Sequence, residues 1–344
     1  MLGRIVTVFP SGRPAGSVPS LPSARRQGGP PARLRRVLPA AALILGALSV
    51  AASPALAGMP SEAVLPAAAP PWWVWSLGVF LVSVLIGLVA VPAGVGGGVL
   101  FVPIVGGFFP FHLDFVRGAG LLVALTSALV SGPTLLRQGL ASLRLALPLA
   151  LAVSIGSIAG ARTGLRLPES LAQTLLGLVI LGITVLMWRV DPSRQAAPEA
   201  DPLAAALGIG GRRFDPAASA ADWTVARLVP GWLVFMLIGF VAGMFGLGAG
   251  WANVPVLSLM MGVPLKVAAG TSGLVLSMTS PAALVYLGHG AMLPPVAVPA
   301  VLGVTVGAAA GVRLLRRLPA QALRRLVLAV LLLAGLRALI RGLA

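Results

Sequence analysis

The sequence predicts an all-α polytopic membrane protein with about eight transmembrane helices. Of its 344 residues, 58% are hydrophobic and only 10% are charged, whereas a soluble domain usually carries about 25% charged residues. One globular core cannot hold so many apolar side chains, so the surplus must face lipid. Apolar runs of about 20 residues, long enough to cross a bilayer, lie near 72–92, 118–136, 143–162, 169–189, 228–246, 268–287, 295–313 and 322–340.

The composition also excludes several classes of function. The absence of Cys rules out disulfides and thiolate metal sites, and two His argue against a histidine metal site. We find no paired carboxylates and no nucleophile motif, so we predict no metal, no cofactor, no catalytic residues and no enzyme activity. The net charge of +17 comes from Arg residues in the N-terminal tail and at the ends of apolar runs. This placement indicates contact with lipid headgroups and no nucleic-acid partner.

Residues 1–57 are predicted to be a basic tail followed by a signal-peptide-like segment. Residues 1–36 are rich in Pro, Gly, Ser and Arg, which is typical of disorder. The apolar stretch 37–52 is short, follows an Arg-rich flank and leads to a small-residue end at Ala57, as in a secretory signal peptide. An uncleaved first transmembrane helix is the alternative. Residues 58–71 then form a linker on the outer side of the membrane.

The remaining chain divides into two homologous four-span repeats, 72–189 and 228–344, joined by a polar and flexible loop at 190–227. Gly and Pro residues recur at a constant offset of 152 positions, and with one residue of slippage an Arg recurs as well. Internal duplication explains this order better than chance, and repeats organise many transporters. The matched pairs are Gly94 with Gly246, Gly96 with Gly248, Gly98 with Gly250, Pro103 with Pro255, Gly156 with Gly307 and Arg162 with Arg313.

Each repeat contains a Gly-rich segment directly after its first span, and these two segments are the predicted substrate-binding motifs. Glycines weaken a helix and Pro removes a backbone donor, so each segment should be broken or re-entrant. In hydrocarbon a broken helix is tolerated only inside protein or against a water-filled cavity. Helix packing alone is the other reading of such glycines. The candidate residues are Gly94, Gly96, Gly97, Gly98 and Pro103 in the first motif, and Gly246, Gly248, Gly250 and Pro255 in the second.

The predicted ligand of these motifs is a small anion. Free N–H groups at the start of the half-helix after the glycines carry a partial positive charge, and Gly lets an oxyanion approach the backbone closely. Hydroxyls can donate to such an anion, although they more often bond their own helix. We therefore add Asn253, Thr271 and Ser272 as candidate ligand contacts. Asp114, Arg117 and Lys266 follow the motifs and are expected at the membrane interface.

The paired glycine motifs, together with Ala-Ala-Gly-Thr-Ser at 268–272, resemble the TauE/SafE family of sulfite exporters and related anion permeases. The resemblance covers about 72–341. It implies a multi-pass protein of the bacterial inner membrane that transports sulfite, a sulfonate or another small sulfur-containing anion. The first copy has Ala119-Gly120 where the second has Thr271-Ser272, so the halves should contribute unequally to binding.

The sequence therefore predicts a secondary transporter that exports a small sulfur oxyanion, with the lipid bilayer as its other partner; a homo-oligomer is compatible with it. A non-transporting membrane scaffold, or an assembly subunit of a periplasmic redox enzyme, is the alternative. The Arg-rich connection at 313–325 is predicted to be cytoplasmic. Broken segments of about 15 residues are short for a full crossing, which favours re-entrant loops and parallel repeats, while full crossings would invert the repeats.

Overall fold

The computed structural model describes residues 71–90, 96–137, 141–189, 201–215, 218–314 and 320–343. The predicted tail and signal-like segment, the linker up to residue 70, and Gly94 lie outside the described residues. Within them, eight helical stretches are long and apolar enough to cross a membrane. The predicted fold class is therefore confirmed.

The first half contains four spans and one short apolar helix, which begins at the first glycine motif. Its helices are α1 (Trp72–Ala90), α2 (Gly97–Phe108), α3 (Leu113–Arg137), α4 (Leu143–Gly164) and α5 (Glu169–Arg189). Within the loop between the halves, the described residues form a short helix, which is capped by Asp201, and an antiparallel hairpin. These elements are α6 (Pro202–Ala206), β1 (Gly210–Asp215) and β2 (Ala218–Thr224).

The second half repeats this order, but its third segment is interrupted. Its helices are α7 (Leu228–Phe245), α8 (Gly250–Pro255) with a π-helical turn at Val256–Met260, α9 (Leu265–Ser277), α10 (Pro281–Gly288), α11 (Pro294–Leu314) and α12 (Ala320–Leu343). The stretch Val267–Gly288 counts as one span. It is bent at residues 278–280 because Pro281 lacks the N–H that would continue the helix.

Exposed leucines mark the surfaces that face lipid. On α1, Leu77, Leu81 and Leu85 are 50–61% exposed and lie four residues apart on one helical face. A similar stripe on α4 contains Leu147, Leu151 and Ile155. In water such stripes would be large apolar patches, whereas in a bilayer they contact acyl chains.

Glycines allow two pairs of helices to touch along their backbones. A Cβ on Gly156 or Gly160 of α4 would overlap the main chain of α7 at Met236 and Phe240. Gly307 of α11 is packed in the same way against the main chain of α1 at Val84. Small residues four positions apart commonly produce such close crossings in membranes. Both pairs run parallel, and they tie each half of the protein to the other.

The directions of the helices place the two halves upside down relative to each other. α2 folds back along α1, so that Phe109 meets Trp75 with ring centroids 5.9 Å apart. α3 and α4 then reverse direction in turn, and Arg117 near the start of α3 contacts Gly164 at the end of α4. Because α7 runs parallel to α4, it is antiparallel to α1.

The expectation of parallel repeats is thus corrected. The broken segment does fold back, as its length suggested, but α2 continues to the end of the bundle where α1 begins. We call this end of the bundle the N-terminal end, and the end where α3 stops and α4 starts the basic end. The N-terminal end also holds the start of α11, because Ser76 of α1 donates a hydrogen bond to the Pro295 carbonyl.

Candidate functional site

The first glycine motif starts α2 beside the middle of α3. Gly96 has φ +83°, a conformation that L side chains rarely adopt, and its backbone turns the chain into the helix. The Gly97 N–H donates to the Ser127 hydroxyl at 3.2 Å, which satisfies one of the free donors of the helix start. Pro103 lies inside α2 and is buried. The motif therefore begins a half-helix within the bundle, as predicted.

The second motif connects α7 to α8 along the other side of α3. Gly246 ends α7 and packs directly on the backbone of Arg117. Gly248 has φ +70°, and a Cβ there would lie 2.7 Å from the Cβ of Ala124. Gly250 begins α8, and Pro255 ends it where the chain widens into the π-helical turn.

The two motifs meet in the interior of the protein. A Cβ on Gly98 would lie 2.6 Å from the Leu247 carbonyl oxygen and 2.8 Å from that of Gly120. On the same side, a Cβ on Gly96 would lie 3.9 Å from the Cα of Gly250. Residues that are about 150 positions apart in the sequence thus form one junction, in which only glycine fits.

Leu276 fills the space at this junction. Its methyl groups would lie 2.9 Å from a Cβ on Gly96 and 3.0 Å from one on Gly248. The side chain is 5% exposed and comes from the last turn of α9, just before the bend at 278–280. The junction is therefore closed by an apolar side chain in this conformation.

The polar candidates of the second half are buried nearby, and they have different partners. Asn253 is fully buried; its Nδ2 donates to the Ser272 carbonyl at 3.4 Å, and its Oδ1 has no hydrogen-bond partner. Thr271 is also buried, and its hydroxyl accepts from the Ser142 N–H at 3.1 Å. Thr271 therefore helps to hold the start of α4, while Asn253 keeps one free acceptor.

The other hydroxyls of this span bond to their own helix. Ser277, Thr279 and Ser280 each donate to the carbonyl three residues before, at 2.6–2.8 Å. At the bend, the Leu276 and Ser277 carbonyls thus accept both a hydroxyl and a backbone N–H, since Thr279 N donates to Leu276 and Ser280 N to Ser277. Ser154 of α4 supplies a further hydroxyl to the Met278 carbonyl at 2.9 Å.

Sequence reasoning missed the burial of Arg117, which was expected at the interface. Its side chain is 1% exposed, and Nη1 donates to Asp114 at 2.9 Å and to the Gly164 carbonyl at 3.1 Å. The guanidinium also lies over the Phe245 ring, 5.7 Å from its centroid. The i,i+3 spacing from Asp114 was a signal for this ion pair, but the contacts with α4 and α7 come from distant parts of the chain.

With this geometry established, comparison with known proteins identifies the family. The family model described as sulfite exporter TauE/SafE matches residues 79–338. The chain belongs to the TauE/SafE family of sulfite exporters. The match spans both glycine motifs and most of the chain. It is a transporter family, so membrane transport is the general function. No curated protein and no solved structure matches the chain.

Proposed function

We propose that this TauE/SafE protein is a secondary transporter that exports a small sulfur-containing anion, sulfite or an organosulfonate, across the bacterial inner membrane. The observation that carries the proposal is the meeting of the two glycine motifs. Gly98 lies against the Leu247 carbonyl, and Gly96 faces Gly250, deep among the packed spans. Irregular backbone at such a place is typical of transporter binding sites.

The start of α2 supplies the attraction for an anion. The first four N–H groups of a helix lack partners within the helix. In α2, the N–H of Gly97 donates to the Ser127 hydroxyl. The helix dipole adds a partial positive charge at the same place. Asn253 adds a donor and a free acceptor. A free acceptor suits an anion that still carries a hydrogen, such as bisulfite or an aminosulfonate.

The relation between the halves supports alternating access. We infer that they are inverted repeats, because the predicted equivalence pairs Gly156 with Gly307. Gly156 packs on α7, the first span of the second half, and Gly307 packs on α1, the first span of the first half. Inverted repeats can rock around a central site and open it to one side at a time. In the conformation described here Leu276 must move before an anion can reach the glycines.

The test is transport in proteoliposomes that contain the full chain. We expect wild-type protein to move sulfite and Asn253→Ala to move it about tenfold more slowly, since losing one buried hydrogen-bonding group costs about 1–3 kcal/mol. Ser83→Ala is the matched control, because Ser83 is also fully buried with an unpartnered hydroxyl but lies on α1. It should transport like wild type.

Two results would contradict the proposal in different ways. Wild-type rates in Asn253→Ala, with normal protein amounts, would show that the anion binds elsewhere. No movement of sulfite, sulfoacetate or taurine by wild-type protein would remove the transport function of this chain, and would leave the scaffold or assembly role as the better reading.

A further inference from the structure

Four ionisable side chains form a cluster at the N-terminal end of the bundle, beside the second glycine motif. His112, Asp114, Arg117 and Glu169 line one small polar cavity. The cluster runs from the surface inward, since the side chains of His112 and Glu169 are about half exposed, that of Asp114 is 24% exposed and that of Arg117 is 1% exposed. At its inner end, Gly246 of the second motif rests on the Arg117 backbone.

Arg117 has hydrogen-bonding capacity that the protein leaves unused. Only Nη1 has partners, whereas Nε and Nη2 are buried without any. A guanidinium remains charged at all physiological pH values. Buried donors without partners are costly, and a charged group raises that cost. A small oxyanion in the cavity would offer several acceptors to this side chain.

His112 can hold the cluster in two arrangements that differ by one proton. Its Nε2 lies 3.3 Å from Glu169 Oε2. Its Nδ1 lies 3.4 Å from the Asp114 backbone nitrogen and 3.6 Å from Asp114 Oδ2. Neutral His112 can accept from the N–H of Asp114 while it donates to Glu169. Protonated His112 instead donates to both carboxylates.

Several other side chains at this end of the bundle have partners of their own. Phe115 packs edge-on against its ring. Arg337 and Arg341 of α12 donate to the carbonyls of Gly107 and Gly106 at the end of α2. Tyr286 of α10 donates its hydroxyl to the carbonyls of Gly243 and Met244. Asp114 and Glu169 are carboxylates that lie within 4 Å of the His112 ring nitrogens, so they respond to its charge.

We propose that this cluster is a proton-linked binding site for a small oxyanion, beside the second glycine motif. The inference rests on the proposed transport function and adds the coupling ion. A proton on His112 adds one positive charge beside Asp114 Oδ2 and weakens the attraction of that carboxylate for Arg117, so the unpartnered Nε and Nη2 attract an anion more strongly. By linkage, a bound anion raises the proton affinity of His112 by the same factor.

The experiment measures binding of methanesulfonate, whose charge is constant over the range used. The full chain in nanodiscs is titrated by calorimetry in mildly acidic and in mildly alkaline buffer. We expect wild-type protein to bind at least about 5-fold more tightly at the acidic pH. His112→Gln should bind with the same affinity in both buffers. His289→Gln is the matched control, because His289 is exposed and its Nδ1 lies 2.8 Å from the Val285 carbonyl of its own helix.

The outcomes separate this inference from the proposed function. A pH-linked affinity that survives in His112→Gln, or an affinity in wild type that does not depend on pH, overturns the cluster as the coupling site. Transport of sulfite in proteoliposomes stands or falls independently of either result.

Arg117→Lys keeps a positive charge near the ends of α4 and α7. If Arg117 had only a structural role, methanesulfonate binding would be unchanged in this variant. We expect binding to weaken, because Lys cannot present the planar donor edge.

Discussion

Leu276 is the residue whose size sets the space at the glycine junction. It contacts the positions of Gly96 and Gly248 from both halves at once. The other side chains beside these glycines are smaller, such as Val123 at Gly97 and Ala124 at Gly248, so trimming Leu276 opens the most space. The chain thus has one natural position at which volume and substrate size can be tested together.

We predict that Leu276→Ala lets larger organosulfonates through relative to sulfite, while Leu276→Phe slows every substrate. The Ala variant should lose about 2–5 kcal/mol of stability, as buried Leu→Ala changes do. Competition between sulfite and a bulky sulfonate in proteoliposomes measures the effect. Leu257→Ala is the control, since Leu257 is fully buried in the π-helical turn. It should lose stability without changing the selectivity, and an equal change of selectivity in both variants would contradict the prediction.

Among the elements, α6 and the β-hairpin are attached to the spans through Asp201. Its Oδ1 accepts from the Leu203 N–H at 2.9 Å and its Oδ2 from the Leu228 N–H at 2.8 Å. The second bond joins the short helix to the first residue of α7. The pKa of this carboxyl is lowered, chiefly by the Leu228 N–H and then by those of Leu203 and Ala204, against an opposing effect of burial.

This lowered pKa sets the sign of a pH dependence. The carboxylate is stabilised in the folded protein, so its contribution is present above the unfolded pKa and is lost as pH falls through the folded pKa. We predict that Asp201→Asn melts at a lower temperature than wild type near neutral pH, and that the difference shrinks in acid. Asp201→Ser keeps an acceptor for the helix start and, unlike Asn, places no NH2 donor against a backbone N–H, so it should fall between them. A difference that is constant with pH would contradict this account.

At the scale of the whole molecule, the sequence was sufficient for the spans and the motifs but not for their arrangement. The apolar runs predict the helices because crossing a bilayer requires length and hydrophobicity alone. The glycines predict the breaks because their effect is local. The burial of Arg117 and the packing of Leu276 against Gly96 and Gly248 depend on contacts between distant segments. A linear pattern does not encode which face of α3 meets α7.

The orientation of the protein in the membrane follows from the distribution of its Arg residues. At the basic end α3 stops and α4 begins, and α11 ends and α12 begins there too. The sequence around the end of α11 and the start of α12 is rich in Arg, with Arg313, Arg316, Arg317, Arg324 and Arg325. The positive-inside rule therefore places the basic end in the cytoplasm and the start of α1 outside. The same assignment puts the β-hairpin inside and the turn after α10 outside, because the halves run in opposite directions.

The absence of Cys from the chain makes this assignment directly testable with single-cysteine variants. Thr224 at the end of β2 and His289 after α10 are both exposed. In intact cells that express Thr224→Cys, a membrane-impermeant maleimide should react only after the membrane is permeabilised. His289→Cys should react without permeabilisation. Labelling of both variants from the same side would contradict the inverted arrangement, since parallel halves would place both positions on the same side of the membrane. Reversed labelling of the pair would keep the inversion and overturn only the orientation, and would put the proton-linked cluster at His112 on the cytoplasmic side.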